Sequence, residues 1–366
     1  MSQSPFSSTI RPDVEELLAV IRRQRAPRRL HYIELFLDEE VIEAVDRRFR
    51  LAEGLSGSDP FRALKRDIRV HSFLGYDVFR IGFVHKDIFP LPALETEDTA
   101  AESQSRGRRE WVQEHEGAIR NWTDFESYPW PKVEDIDLRP LEWMEKNLPE
   151  GMGCFELTAH IFEMVNFLQG YERLCYNLFD APELVQAICE KIGRYYVEFT
   201  ELLCDFDCMS LVWGSDDLGF RSSTMTSPDF LKAQILPWHR ACARVAHEHG
   251  KPYLLHSCGN LEAVMEDLID AVGIDGKHSF EDTILPVEEA YRRYGKRISI
   301  LGGIDVDFLC RATEAEIRRR VRETLQACTS GERGSGYCLG TGNTVANYMP
   351  LDSYLTMLDE GRRHRL

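Results

Sequence analysis

Apolar residues recur along this chain in two rhythms. Near the N-terminus the spacing is helical: Val14, Leu17, Leu18 and Ile21 share one face of residues 12–25. Residues 38–50, DEEVIEAVDRRFR, place acids first and arginines last, as a helix dipole favours. Asp59-Pro60 opens a third helix running towards His71. Residues 77–83, DVFRIGF, read as a first strand. Residues 95–110 are polar and breaker-rich and predict an exposed loop. The prolines of NWTDFESYPWP, residues 121–131, predict irregular chain through that point.

Beyond it the rhythm changes. Short apolar runs at 154–158, 209–213, 253–256, 274–278, 298–301 and 337–339 are each followed by a longer polar stretch. Helical spacing covers 182–203, 228–249, 261–271, 286–294 and 314–328. Strand–helix alternation predicts a parallel sheet. With 77–83 this gives seven strands and leaves an eighth unplaced. The strand exits read GSDDLGF, HSCGN, KHSFED, GGIDVD and GTGN. All are small, polar or titratable, as expected where parallel strands open on one catalytic face. The fold predicted is α/β, a single (β/α)8 TIM-type barrel over 71–366. An N-terminal helical segment, 1–70, packs on it, and a loop insertion spans about 95–131. An open doubly wound sheet is the alternative. There is no GxGxxG or Walker motif to support nucleotide binding.

Composition narrows the function classes. The chain has 366 residues, 43% hydrophobic and 29% charged, enough for a large core. Its formal charge of −17 argues against binding nucleic acid or an anionic membrane, though local arginines can still hold an anionic substrate. Ten cysteines without paired spacing, no secretory leader and no apolar run of membrane length point to a cytoplasmic protein with reduced thiols. Cys175, Cys189, Cys204 and Cys242 fall in helical patterns and are expected in the core.

In order along the chain stand Tyr128-Pro129-Trp130-Pro131, residues 170–185, Asp216-Asp217-Leu218-Gly219 and His256-Ser257-Cys258-Gly259. Gly302-Gly303-Ile304-Asp305 and Gly340-Thr341-Gly342-Asn343 follow. From about residue 125 to the C-terminus, this series resembles the uroporphyrinogen decarboxylase superfamily, which also contains zinc- and corrinoid-linked methyltransferases. The resemblance implies the barrel. It fixes the substrate much less. The arginine-rich Ala-Gly-Arg-Tyr motif of the decarboxylases is absent; residues 25–30, RAPRRL, keep only its arginines. Their C-terminal Gly-His-Gly is Gly340-Thr341-Gly342 here. The methyltransferase branch implies zinc on a His-x-Cys pair plus a late cysteine. His256 and Cys258 match the pair, Thr341 occupies the late position, and Cys338 lies three residues before it.

The residues themselves support metal chemistry. Positions i and i+2 at a strand end face the same side, and imidazole with thiolate suits zinc. Against this, His256 and Cys258 also suit packing. Cys338 or Glu156 is the expected third metal ligand. Asp217, Asp305 and His278 are the expected catalytic groups. Asp217 faces the cavity while Asp216 caps a turn or reaches substrate. Lys277, Asn343, Thr341 and His160 are expected to bind substrate or cofactor. Trp111, Trp122, Tyr128 and Trp130 form either a lid or a satellite apolar cluster.

The leading reading is a zinc-dependent methyltransferase acting on a small molecule, with a corrinoid protein as a partner and a homodimer as the assembly. A metal-independent decarboxylase and a non-catalytic ligand-binding barrel are the alternatives.

Overall fold

Alternation along the strands explains the architecture. The computed structural model describes residues 4–82, 88–91, 93–97, 108–112, 117–329 and 336–365, with 93–97 and 108–112 described by backbone alone. Besides an antiparallel pair, β2 Ala93–Glu97 and β3 Arg108–Val112, the strands are parallel: β1 Val78–Arg80, β4 Gly153–Phe155, β5 Leu157–Thr158, β6 Val212–Ser215, β7 Tyr253–His256, β8 Gly276–His278, β9 Ser299–Leu301 and β10 Tyr337–Cys338. β1 pairs with β4, and β5 through β10 pair in sequence order. β4 and β5 follow one another with only Glu156 between them.

One set of alternate residues forms a single apolar cluster: Ile33, Leu35, Val78, Phe155, Trp213, Leu254, Leu301 and Cys338 among them. The other set, including Phe79, Val212, Leu255 and Ile300, packs in the larger cluster with the helices. Two apolar faces on each strand are the mark of a parallel sheet covered by helices on one side and filled on the other. The result is a barrel-like α/β fold.

An extended stretch of the N-terminal segment lies along the open edge of the six-stranded sheet. Tyr32 bridges Leu339 in parallel, with Ile33 N–H donating to Leu339 O at 3.0 Å and Leu339 N–H to His31 O at 2.9 Å. Ile33 and Leu35 then meet Val78 of β1 in the inner cluster. The helical segment expected over 1–70 therefore also carries an extended stretch beside β10. Its first helix, Val14–Ile21, sends Leu17, Val20 and Ile21 into that cluster. Ser299 Oγ, at the start of β9, donates to Ile21 O at 2.6 Å and places this helix against the strand N-termini.

Three local expectations are corrected. Residues 93–97 and 108–112 form an antiparallel hairpin where a loop was expected, while 83 and 98–107 lie outside the described residues. Trp122–Ser127 is helical, capped by Asn121 and ended before Pro129. Cys175 is exposed, whereas Cys189, Cys204 and Cys242 are buried. No described helix is long and apolar enough to cross a membrane.

Asp305, expected as a catalytic group, and Asp216, expected to cap a turn or reach substrate, both hold elements in place. Asp216, fully buried, accepts from the Phe162 and Glu163 amides at 2.9 and 2.8 Å, at the start of helix Ile161–Gln169, and from His239 Nε2 at 2.8 Å. His239 Nδ1 in turn meets the Tyr253 hydroxyl at 2.9 Å. Asp305 caps helix Val306–Arg311 by accepting from Phe308 N–H at 2.9 Å. Both are anchors because their carboxylates complete a helix N-terminus.

Two predictions follow from this packing. Asp305→Ala removes one exposed-side cap and is expected to cost about 1 kcal/mol in urea unfolding. Asp216→Ala strands a buried imidazole and two amides, and should cost on the order of 3–5 kcal/mol. Equal losses would refute this ranking. Separately, His71 is buried against Tyr76 and Phe79, and burial holds its pKa down at about 4. The unfolded chain takes up that proton first, so stability falls as pH drops from about 6.5 towards 4, by up to about 3 kcal/mol from this residue. His71→Phe should flatten that part of the stability–pH curve.

Candidate functional site

Register brings the site together. Ser215, His256 and His278 are successive partners across β6, β7 and β8, and their side chains lie on the inner face at the strand exits. Parallel strands stand about 4.8 Å apart, so neighbouring inward side chains must touch. His256 and His278 do so through their Nδ1 atoms at 2.8 Å, with ring centroids 5.1 Å apart. Trp213 forms the floor, its ring 5.5 Å from that of His278 and nearly perpendicular to it. Above them the chain leaves the strands and adds Asp217, Cys258, Ser279 and Asn343.

The exit loops of β6 and β7 come unusually close. A Cβ on Gly259, which has φ +79°, would lie 2.3 Å from the Gly219 carbonyl carbon. Only glycines admit this approach. It lets Cys258 N–H donate to Asp217 Oδ1 at 3.1 Å. The Cys258 sulfur lies 3.5 Å from His256 Nε2, and it accepts from Ser279 Oγ at 3.5 Å and Asn343 Nδ2 at 3.4 Å. Ser279 holds φ +78°, a conformation strained for a residue with a side chain.

Asp217, His256 and Cys258 each offer a donor atom within 4.8 Å of the others. Among the described residues this group contains neither Cys338 nor Glu156, the expected third ligands. Cys338 is sealed in the inner apolar cluster, and burial pushes its thiol pKa far up. Glu156 is spent on β1, accepting from Arg80 Nε at 2.8 Å and Gly82 N–H at 2.6 Å, as well as from its neighbour Leu157 N–H. The third group is Asp217.

Around this trio lies a cavity of about 500 Å³, lined also by Arg80, His160, Glu163 and Asn343, with Phe36 and Phe167 as apolar wall. His160 Nδ1 pairs with Glu163 Oε2 at 2.9 Å. The strand-exit rule also marks Ser279, next to His278, although it was not singled out from sequence; Arg80 closes the observed β1 but lies inside the strand expected over 77–83. Glu163 carried no such signal.

Other expected residues turn away. Thr341 gives its hydroxyl to Glu34 Oε2 at 2.6 Å and its amide to Glu34 Oε1 at 2.8 Å. Only its carbonyl faces the site, 3.2 Å from His278 Nε2. Lys277 alternates outward and donates to the Ser257, His278 and Ser279 carbonyls at 3.2, 3.2 and 2.7 Å, tying two strand exits together. Asp216 and Asp305 are the helix anchors described above. Trp122 and Trp130 pack on Phe125, and Tyr128 on Trp130, rather than lining the cavity. Of Trp111 only the backbone is described.

Burial dominates the electrostatics. It drives the pKa of His256 far down, with His278 and Lys277 adding to the effect. It also takes His278 down to about 3, with Lys277 again contributing. Both imidazoles are therefore neutral at physiological pH. The same burial lifts the Cys258 thiol to about 12, with the Asp217 charge adding to it, and raises the Asp217 carboxyl. Lys277 is lowered to about 8 by desolvation.

Comparison with known proteins shows the family. The family model described as Uroporphyrinogen decarboxylase (URO-D) matches residues 154–364, more than half of the chain. A uroporphyrinogen decarboxylase of Cupriavidus necator is 32% identical over 104 residues, and one of Cupriavidus pinatubonensis is 29% identical over 104. Each match covers 28% of this chain and 26% of the relative, so the chain spans about a quarter of the length of these curated proteins. Among solved structures, a methyltransferase from Methanosarcina mazei superposes with a TM-score of 0.68 at 13% identity, covering 96% of this chain and 99% of that one. The strand order, the residues at the strand exits and the family match together place the chain in the uroporphyrinogen decarboxylase (URO-D) family.

Proposed function

We propose that this chain is a zinc-dependent methyltransferase acting on a small molecule, its metal held by Asp217, His256 and Cys258. The convergence of those three donor atoms within 4.8 Å, at the wall of the cavity, carries the reading. The donor set fits zinc. A tetrahedral ion with ordinary Zn–N and Zn–S bonds needs roughly 3.5 Å between nitrogen and sulfur, and His256 Nε2 and Cys258 Sγ stand 3.5 Å apart. Three protein donors leave one position for substrate, the arrangement of catalytic zinc. Bound there, zinc would supply a Lewis acid able to keep a substrate thiol deprotonated near neutral pH.

The chain's own residues would do the rest. Asn343 and Ser279 donate to the Cys258 sulfur and so favour its thiolate form, against the burial that disfavours it. Phe36 and Phe167 exclude water from one side of the cavity, and Arg80 offers positive charge to an acidic substrate group. The methyl donor is proposed to be a methyl-corrinoid carried by a partner protein.

A metal-independent decarboxylase is the second reading. It draws on the Asp217 carboxylate and the Arg80 guanidinium, which line the same cavity, and on the name of the curated relatives. It loses Asp305, which caps a helix.

Metal analysis of the purified chain separates the two. About one zinc per chain is expected in the wild type, falling at least tenfold in His256→Ala and in Cys258→Ser, with methyl transfer from methylcobalamin to a small thiol lost in parallel. Negligible zinc in wild type and variants alike sinks the metal reading. Release of carbon dioxide from uroporphyrinogen by that zinc-free protein, abolished in Asp217→Asn, would establish the alternative.

A further inference from the structure

We infer that His278 is a positioning residue: together with the Thr341 carbonyl it holds His256 in the tautomer with its proton on Nδ1, leaving a bare Nε2 lone pair aimed at the cavity. The argument follows the protons from the inside outwards. A carbonyl oxygen can only accept, so the 3.2 Å contact with Thr341 O puts a proton on His278 Nε2. At 2.8 Å the facing Nδ1 atoms of the two rings have room for one proton between them. A neutral His278 protonated at Nε2 has a bare Nδ1. The proton between the rings therefore belongs to His256. Its Nε2 is left unprotonated, 3.5 Å from the Cys258 sulfur and within the donor trio.

The far end of this relay is built with care. The Thr341 carbonyl is fixed by a second donor, Gly303 N–H, at 3.0 Å. Gly302 sits at φ +74°, and a Cβ there would lie 2.2 Å from Thr341 O and 2.9 Å from His278 Nε2. No other residue type leaves space for that bond. The Gly302-Gly303 pair thus makes room for the relay and anchors it. Thr341 serves through its backbone, which is why its side chain is free to bond Glu34. The unlinked imidazole in water favours the opposite tautomer, with the proton on Nε2, so a partner at Nδ1 is needed to reverse it. Carbonyl or carboxylate partners commonly play this part for metal-binding histidines. Here a second imidazole plays it, passing the constraint from a backbone carbonyl beyond the end of β10.

The functional meaning of the relay rests on His256 being a metal donor, but the proton placement does not. The first measurement is therefore made without metal. The full chain, labelled with 15N-histidine, is examined by long-range 1H–15N correlation, with His256 assigned from the His256→Gln spectrum. The wild type should show His256 protonated at Nδ1 and bare at Nε2. His278→Ala should move it towards the Nε2-protonated form, and Gly302→Ala should do so in part. His278→Gln, whose side-chain oxygen can still accept from Nδ1, should restore the wild-type pattern.

Zinc affinity is then read by competition with a chromophoric chelator. It should fall by about 10–100-fold in His278→Ala and recover in His278→Gln. A wild-type His256 protonated at Nε2 overturns the inference, as does an unchanged pattern in His278→Ala. Unchanged zinc affinity in a variant whose tautomer has shifted overturns the positioning role. If His278→Ala fails to fold, the wild-type and His278→Gln spectra still decide. Failure of the wild type to bind zinc would sink the metal reading while the spectra judged the relay separately.

Discussion

Two neutral imidazoles touching in the interior constrain everything around them. His278 is fully buried and His256 shows only its cavity edge, so the Nδ1 atoms of both must find partners inside. They find one another because β7 and β8 run parallel and place them in register. The remaining nitrogen of His278 takes the Thr341 carbonyl, and that of His256 turns to the cavity beside the Cys258 sulfur. Shifting either strand by one residue would turn its ring into the helical layer and break the contact between the two imidazoles.

The surroundings are arranged to keep that pair in place. Trp213 supports it from beneath, and Lys277, outward on the same strand, secures three strand-exit carbonyls. An ammonium so near also works against protonation of the rings. Asp216 and Asp217 show how finely the division is cut. They are neighbours in sequence, yet one closes a helix N-terminus behind the sheet and the other meets the cavity. Opposite orientation of successive residues at a strand end is enough to give them different work.

The site was partly legible in the residues. His256 and Cys258 stand out because i and i+2 spacing at a strand end forces a common direction, and they do converge. Asp217, expected to face the cavity as a proton-handling group, lines it as the third member of the trio. Cys338 and Glu156 misled for a shared reason: both are good metal donors by type, and type says nothing about who else claims the atom. The inner apolar cluster claims Cys338, and Arg80 with two amides claims Glu156. Thr341 misled differently, since its contribution is a carbonyl that every residue possesses.

Sequence alone determined the alternation of strands and helices, the common direction of the strand exits and the chemistry gathered there, because these follow from local periodicity and from parallel pairing. Tertiary structure decided what lies along the edge of β10. Residues 31–33 are a short stretch beside helices, and only the unpaired edge of β10 makes them extended. It also decided which carboxylate joins the imidazole and thiol. That choice turns on competition for hydrogen bonds among residues distant in the chain, and no spacing rule contains it.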